Sequence, residues 1–135
     1  VAEPLFEKIR ALLVDRPPLV HSELPERGAA QRPASVLVPL FMQGGEPYMV
    51  LTRRTDHLKQ HPGQISFPGG GRDPSDADAS VTALREAEEE IGLDRKQVEL
   101  LGPLDQLDTI TSFRISPFVG AIPAGYPFKP EPAEV

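Results

Sequence analysis

Arg85-Glu86-Ala87-Glu88-Glu89-Glu90-Ile91-Gly92-Leu93 closes a run from Asp78 to Ile91 whose apolar residues recur at helical spacing. Either Asp76 or Asp78 serves as N-cap and Gly92 as the C-terminal stop, so the run reads as one helix. At about 100° per residue, Val81, Leu84, Ala87 and Ile91 share one side, while Glu86, Glu89 and Glu90 share an arc on the other. The helix therefore has a core face and an acid face. Glutamates at i, i+3 and i+4 repel by about 0.2–0.5 kcal/mol per pair on an exposed helix. A cation relieves that repulsion, and a hard divalent ion such as Mg²⁺ takes carboxylate oxygens while keeping waters of its own. Taken alone, the cluster reads more plainly as a solvated acidic surface.

Working upstream, Pro68-Gly69-Gly70-Gly71 predicts a glycine loop that turns with positive φ and comes close to another group. Gln64 to Phe67 reads as a brief strand leading into it. Ser35 to Phe41 and Tyr48 to Arg53 are β-rich and separated by Gln43-Gly44-Gly45-Glu46-Pro47, a hairpin signal. Leu5, Phe6, Ile9, Leu12 and Leu13 give a short amphipathic helix, with Pro4 in its first turn and Pro17-Pro18 as a stop. Residues 15 to 33 have no period and read as a loop. Downstream, strands are expected near Val98 to Leu101, Gln106 to Ile110 and Arg114 to Ile122.

The acid helix and the glycine loop together change the weight of the cluster. With its helix, the motif resembles the Nudix box, whose second half is R-E-U-x-E-E-x-G-U with U aliphatic, matched by Arg85 to Leu93 with Ala87 as a small U. Phe67-Pro68-Gly69-Gly70 supplies the approach. The first half departs from glycine, five residues, then Glu. Counted forward from Gly70 the Glu slot falls on Asp76, and counted back from Arg85 it falls on Ala77, so the loop carries one extra residue. Further upstream, Leu51-Thr52-Arg53-Arg54-Thr55 through Leu58, His61, Gly63, Gln64 and Phe67 is similar to the additional motif of the coenzyme A pyrophosphatase branch. Leu101-Gly102-Pro103-Leu104-Asp105 and Thr109 to Gly120 also look similar to it, with Phe113 following Ser112 where a glycine often intervenes. The resemblance covers about residues 34 to 122.

This resemblance implies an α/β fold, a Nudix-type α/β/α sandwich with a mixed sheet, and hydrolysis of a diphosphate linkage with Mg²⁺ or Mn²⁺. It carries Glu86, Glu89 and Glu90 over as metal ligands and catalytic groups, with a Gly69 carbonyl as a further metal ligand and Arg85 orienting a glutamate. Arg53, Arg54, His61, Gln64 and Gly70 are carried over as substrate-binding residues. Lone surface roles compete for several of them: a surface salt bridge for Arg85, solvation for Arg53 and Arg54, and loop bracing for His61. The general base stays open between Glu89 and Glu90, with Glu134 as a further candidate. Coenzyme A or acyl-CoA is the expected substrate, cut to 3′,5′-ADP and a 4′-phosphopantetheine product. ADP-ribose or another nucleotide diphosphate is the rival, and a binding module without turnover is the reading from another class.

Composition bounds these readings. At 135 residues the chain has room for one domain, 1–135, and 39% hydrophobic residues suit a globular one. A net charge of −6 argues against nucleic acid as a partner, and no run approaches the roughly 20 apolar residues that span a bilayer. The absence of cysteine excludes a disulfide framework and a thiol nucleophile and fits a cytoplasmic protein. His21, His57 and His61 offer no zinc pair. The chain begins at Val1 without Met and stops at Glu131-Pro132-Ala133-Glu134-Val135, so one or both ends are expected to be incomplete. Tyr126-Pro127-Phe128-Lys129-Pro130 is too proline-rich for a helix, so the C-terminal helix is expected to be lacking. One apolar face of the strand at Arg114 to Ile122 is then expected to stay uncovered, marking missing residues or a partner such as a second copy in a homodimer.

Overall fold

From Val36 to Phe41 every residue is apolar, which suits a strand covered on both faces. The computed structural model describes residues 3–22, 31–55 and 63–135, and there this run is the middle of a long strand, β2 (Arg32–Gln43). In chain order the elements are α1 (Pro4–Leu13), β1 (Val20–Ser22), β2, β3 (Glu46–Met49), β4 (Thr52–Arg53), β5 (Ile65–Ser66) and β6 (Gly69–Gly71). They continue with α2 (Ala79–Ile91), a 3-10 turn at Arg95–Gln97, β7 (Glu99–Pro103), β8 (Gln106–Asp108) and β9 (Phe113–Ala121). The main sheet runs β1-β8-β9-β2-β3, with β6 also paired to β2 and β7 to β9. β2 with β9 and β1 with β8 are parallel and the other ladders antiparallel, so the sheet is mixed. β4 and β5 form a separate two-stranded ribbon.

Alternation along β2 assigns the helices to opposite faces. Val38 and Leu40 join Leu101, Val119 and Ala121 under Leu13, with Phe6 and Ile9 of α1 packed alongside. Leu37 joins Ala83, Ala87 and Ile91 of α2, with Leu93, Ile122 and, partly buried, Phe41 and Phe118. The predicted layering is therefore present, with α1 and α2 as its outer layers. The fully buried Pro39 is tolerated inside β2 because its side of the strand faces the interval between β6 and β3. There Leu37 N–H donates to Pro68 O and Val50 N–H to Pro39 O.

Several expectations are corrected. The loop expected over 15–33 contains β1, three residues held in parallel register beside β8, too short to show a period. The run expected over 48–53 breaks at Val50 and Leu51 into β3 and β4. Gly69, Gly70 and Gly71 do not take positive φ; they form β6 and pair with Val36, Ser35 and Ala34. The hairpin glycines Gly44 and Gly45 do, at +61° and +80°, as a two-residue turn requires. The far half of β9 is not left bare, because Val119 and Ala121 lie in the α1 cluster while Phe118 packs into the α2 cluster. The N-terminal helix α1 supplies that layer. The tail after Pro123 is free of helix, as its prolines predict. No helix among the described residues is long and apolar enough to cross a membrane.

Candidate active site

The site forms where β6 meets α2, and the glycines permit the contact. A Cβ on Gly69 would run into the Ser35 carbonyl and the Val36 side chain; one on Gly70 would lie 2.6 Å from Glu86 Cδ and 2.7 Å from both its carboxylate oxygens. Gly70, expected to touch substrate, is thus the space in which the Glu86 carboxylate sits. Asp78 caps α2 by accepting from Ser80 and Val81 N–H at 2.9 and 3.1 Å, and Gly92 ends it at φ +67°.

Asp76, the other candidate cap, has a different post. Its buried carboxylate accepts from Arg85 Nε and Nη2 at 3.0 and 3.1 Å, from Thr82 Oγ1 at 2.8 Å and from Asp73 N–H at 2.9 Å. The forked Arg85 hydrogen bonds, helped by those of Asp73 and Thr82, hold it well below the usual carboxylate range. Arg85 also donates from Nη1 to Glu86 at 3.1 Å and to both Glu89 oxygens at 3.2 Å, and from Nη2 to the Gly71 carbonyl at 3.1 Å. It is a hub for three carboxylates rather than an isolated surface pair. Counting forward from Gly70 lands on the acid that pairs with Arg85, so the extra residue lies between Asp76 and the arginine.

The three glutamates do not share one environment. Glu90 is 8% exposed, because it stands three residues from Ala87 and seven from Ala83 on the buried side of α2. The expected acid face opposite the core is corrected on this point. Desolvation lifts the Glu90 carboxyl to about 7, with repulsion from Glu86 and Glu134 adding to it and a hydrogen bond from the Gly69 amide and the charge of Arg54 opposing it. Glu86, half-buried, is also pushed up, chiefly by desolvation, with Arg85 opposing. Glu89 is exposed and turned toward Arg85. Among the described residues no three acidic or histidine side chains are gathered closely enough to hold a metal ion. The donors nonetheless fit a hard divalent cation, since Mg²⁺ is commonly held by one or two carboxylates plus substrate oxygens, and the half-buried Glu86 and buried Glu90 carboxylates repel each other.

On the other side lies the β4–β5 ribbon. Arg53 is exposed and pairs with Ile65 across it; Arg54 follows, with its N–H donating to Gln64 O at 2.8 Å. Gln64 is exposed, and its backbone braces this corner. Arg54 is near enough to Glu90 to act on its charge, so the structure brings Arg54 to the acids. His61, like Leu58 and His57, lies outside the described residues. Asp76 and Glu134 stand outside the residues carried over as metal or substrate ligands. The forward glycine count points to the first, and the second enters the sequence reading only as a further candidate for the general base.

A NUDIX domain family model matches residues 31–129. The chain belongs to the Nudix family. An uncharacterized Nudix hydrolase, NudL, of Yersinia pestis (strain Pestoides F) is 45% identical over 107 residues, 79% of this chain and 53% of the relative; NudL of Yersinia pseudotuberculosis serotype O:1b (strain IP 31758) matches equally. The chain thus spans about half the length of the curated relatives it matches. Among solved structures, the Nudix hydrolase RenU of M. smegmatis superposes with TM-score 0.65 at 21% identity, covering 82% of this chain and 70% of that one. The C. elegans Ap4A hydrolase binary complex gives 0.62 at 18%, covering 75% and 73%. The Nudix domain of Shewanella oneidensis NrtR, solved with ADP ribose, gives 0.57 at 17%, covering 82% and 73%. At these identities the structural neighbours speak to the Nudix fold alone.

Proposed function

We propose that this Nudix chain carries the site of a hydrolase that splits a diphosphate linkage with the help of Mg²⁺ or Mn²⁺. The observation that carries the reading is the pair of the half-buried Glu86 and the buried Glu90, set beside the Arg85–Asp76 hub and against the glycine strand. Glu86 and Glu90 would hold the cation, with Glu89 and the Gly69 carbonyl as further donors. Bound there, the ion would neutralise charge on the diphosphate and acidify water. Arg85 orients Glu86 and Glu89 by the hydrogen bonds described above. Arg54, with Arg53, His61 and Gln64, is assigned to the substrate, Arg54 because its charge already acts at Glu90. The proton from the attacking water is assigned to Glu89 or Glu90.

For substrate, coenzyme A or acyl-CoA is favoured by the Arg53 to Gln64 motif, giving 3′,5′-ADP and a 4′-phosphopantetheine product. ADP-ribose is the second reading, favoured by the fold shared with a Nudix domain that binds it. The test is turnover of coenzyme A, ADP-ribose, NADH and nucleoside triphosphates by the full-length protein with Mg²⁺ or Mn²⁺, products identified by mass. Coenzyme A should be cut more efficiently than ADP-ribose. The reverse order would move the protein to the second reading, and no turnover of any of them would favour a binding module.

A further inference from the structure

After Ile122 the chain carries Pro123, Pro127, Pro130 and Pro132, each without a backbone donor, and it forms neither helix nor strand. It is nonetheless pinned along the end of α2. Lys129 N–H donates to Ile91 O and Glu131 N–H to Glu90 O, both at 2.8 Å, so the tail satisfies carbonyls that the helix end leaves open. The Tyr126 hydroxyl donates to Gly92 O at 2.9 Å and accepts from Asp94 N–H at 2.7 Å, which uses both its donor and an acceptor position. Its ring lies 5.1 Å from that of Phe128, and both pack on the α2 core. At the far end Thr55 N–H donates to Glu134 O at 3.1 Å. Thr55 follows Arg54 at the end of a ribbon that shares no ladder with the main sheet. The tail therefore ties the acid helix to the arginine-bearing ribbon and sets Glu134 near enough to Glu86 and Glu90 to repel both.

We propose that Tyr126–Glu134 is a strap that fixes the spacing between acid helix and ribbon, with Tyr126 a positioning residue and Glu134 a further carboxylate of the site. It rests on the diphosphate-hydrolysis reading, which gives the two sides a common ligand. A helix cap alone would need only the contacts at Glu90, Ile91 and Gly92; the bond to Thr55 and the placement of Glu134 go beyond it.

The test uses the full-length protein and Tyr126→Phe, which keeps the ring and removes both hydroxyl bonds. Amide exchange at Thr55, Lys129 and Glu131, read by NMR without metal, should quicken by about three- to tenfold, the factor that one or two lost hydrogen bonds supply. Affinity for Mn²⁺ alone, read by EPR, should fall by about three- to tenfold in Glu134→Gln, whose side chain is exposed and whose change leaves the anchor of the tail intact. The double variant should bind Mn²⁺ no more weakly than Glu134→Gln if Tyr126 acts through Glu134. Exchange that quickens at Lys129 and Glu131 but not at Thr55, with Mn²⁺ affinity and KM for coenzyme A and ADP-ribose at wild-type values in both variants, would reduce the tail to a cap and overturn the proposal. Wild-type protein that binds no Mn²⁺ and cuts neither substrate would instead overturn the hydrolase reading, and the site role of Glu134 with it.

Discussion

Glu90 carries the tension of the site in one side chain: a carboxyl buried beside a second carboxylate, with a backbone amide as its hydrogen-bond donor. Glu90→Gln keeps the shape and removes the charge, so turnover should drop by at least about 100-fold while circular dichroism and the thermal transition stay those of a folded protein. Wild-type turnover in that variant would remove Glu90 from the mechanism. Two glycines of β6 make a sharper comparison. At Gly69 an added methyl meets the Ser35 backbone, which cannot move aside, so Gly69→Ala should cost about 1–3 kcal/mol of stability in urea unfolding. At Gly70 it meets only the carboxylate end of Glu86, a flexible side chain that can be displaced, so Gly70→Ala should lose activity by about tenfold or more with little loss of stability. Equal stability losses in the two variants would contradict the placement of Glu86. The motif letters named these residues, but not their reasons. Gly70 reads as a residue that touches substrate because a sequence does not reveal which side chain will fill the space a glycine leaves.

At the scale of elements, both helices were legible because helical period is a local signal, and so were the Asp78 cap and Gly92 stop of α2, whereas α1 ends at Leu13, short of the prolines at 17 and 18. The acid face was legible only in part: burial of a helix side depends on the sheet beneath it, and in the fold Glu90 is buried along with Ala83 and Ala87. β1 and β6 escaped because a three-residue strand is made by its partner, not by its own propensity. The helix and its loop also hold two acids with opposite linkage to pH. Asp76 is depressed below its ordinary 3.8, so its contribution to stability is present above that value and is lost as pH falls below it. Glu90 is raised from 4.5 to about 7, so the folded protein binds a proton that the unfolded chain does not, and stability falls as pH rises across that window. A divalent cation takes the place of that proton. Without metal, the melting temperature should therefore decline between about pH 5 and pH 8, and added Mn²⁺ should raise it more at the upper end. A metal-free profile that is flat across this range, or a Mn²⁺ shift larger at the acid end, would sink the account of Glu90.

Across the whole molecule, the sheet needs a cover on each face, and composition alone could not say which segment supplies the second. The proline-rich tail was correctly read as non-helical, but the inference that a face of β9 stays open did not follow, since an N-terminal helix can fill the same layer. Leu13 marks the contact: it is 8% exposed, and a Cβ on Gly102, which sits at a β7 irregularity with φ +151°, would come within 2.7 Å of Leu13 Cβ. Arg10 and Glu99 form an ion pair at the edge of the same contact. The neighbouring Leu12, with the same side chain and nearly the same helix position, is 70% exposed. Leu13→Ala should therefore destabilise the protein by about 2–5 kcal/mol, the usual cost of a cavity in a core, while Leu12→Ala should stay within about 0.5 kcal/mol of wild type. Because Leu13 lies on the face of the sheet away from α2, kcat and KM of Leu13→Ala should match wild type at temperatures where the variant remains folded. Urea unfolding of the pair decides the matter: equal effects at positions 12 and 13 would mean that α1 does not dock through Leu13, and the α1-side face of β9 would then need another cover.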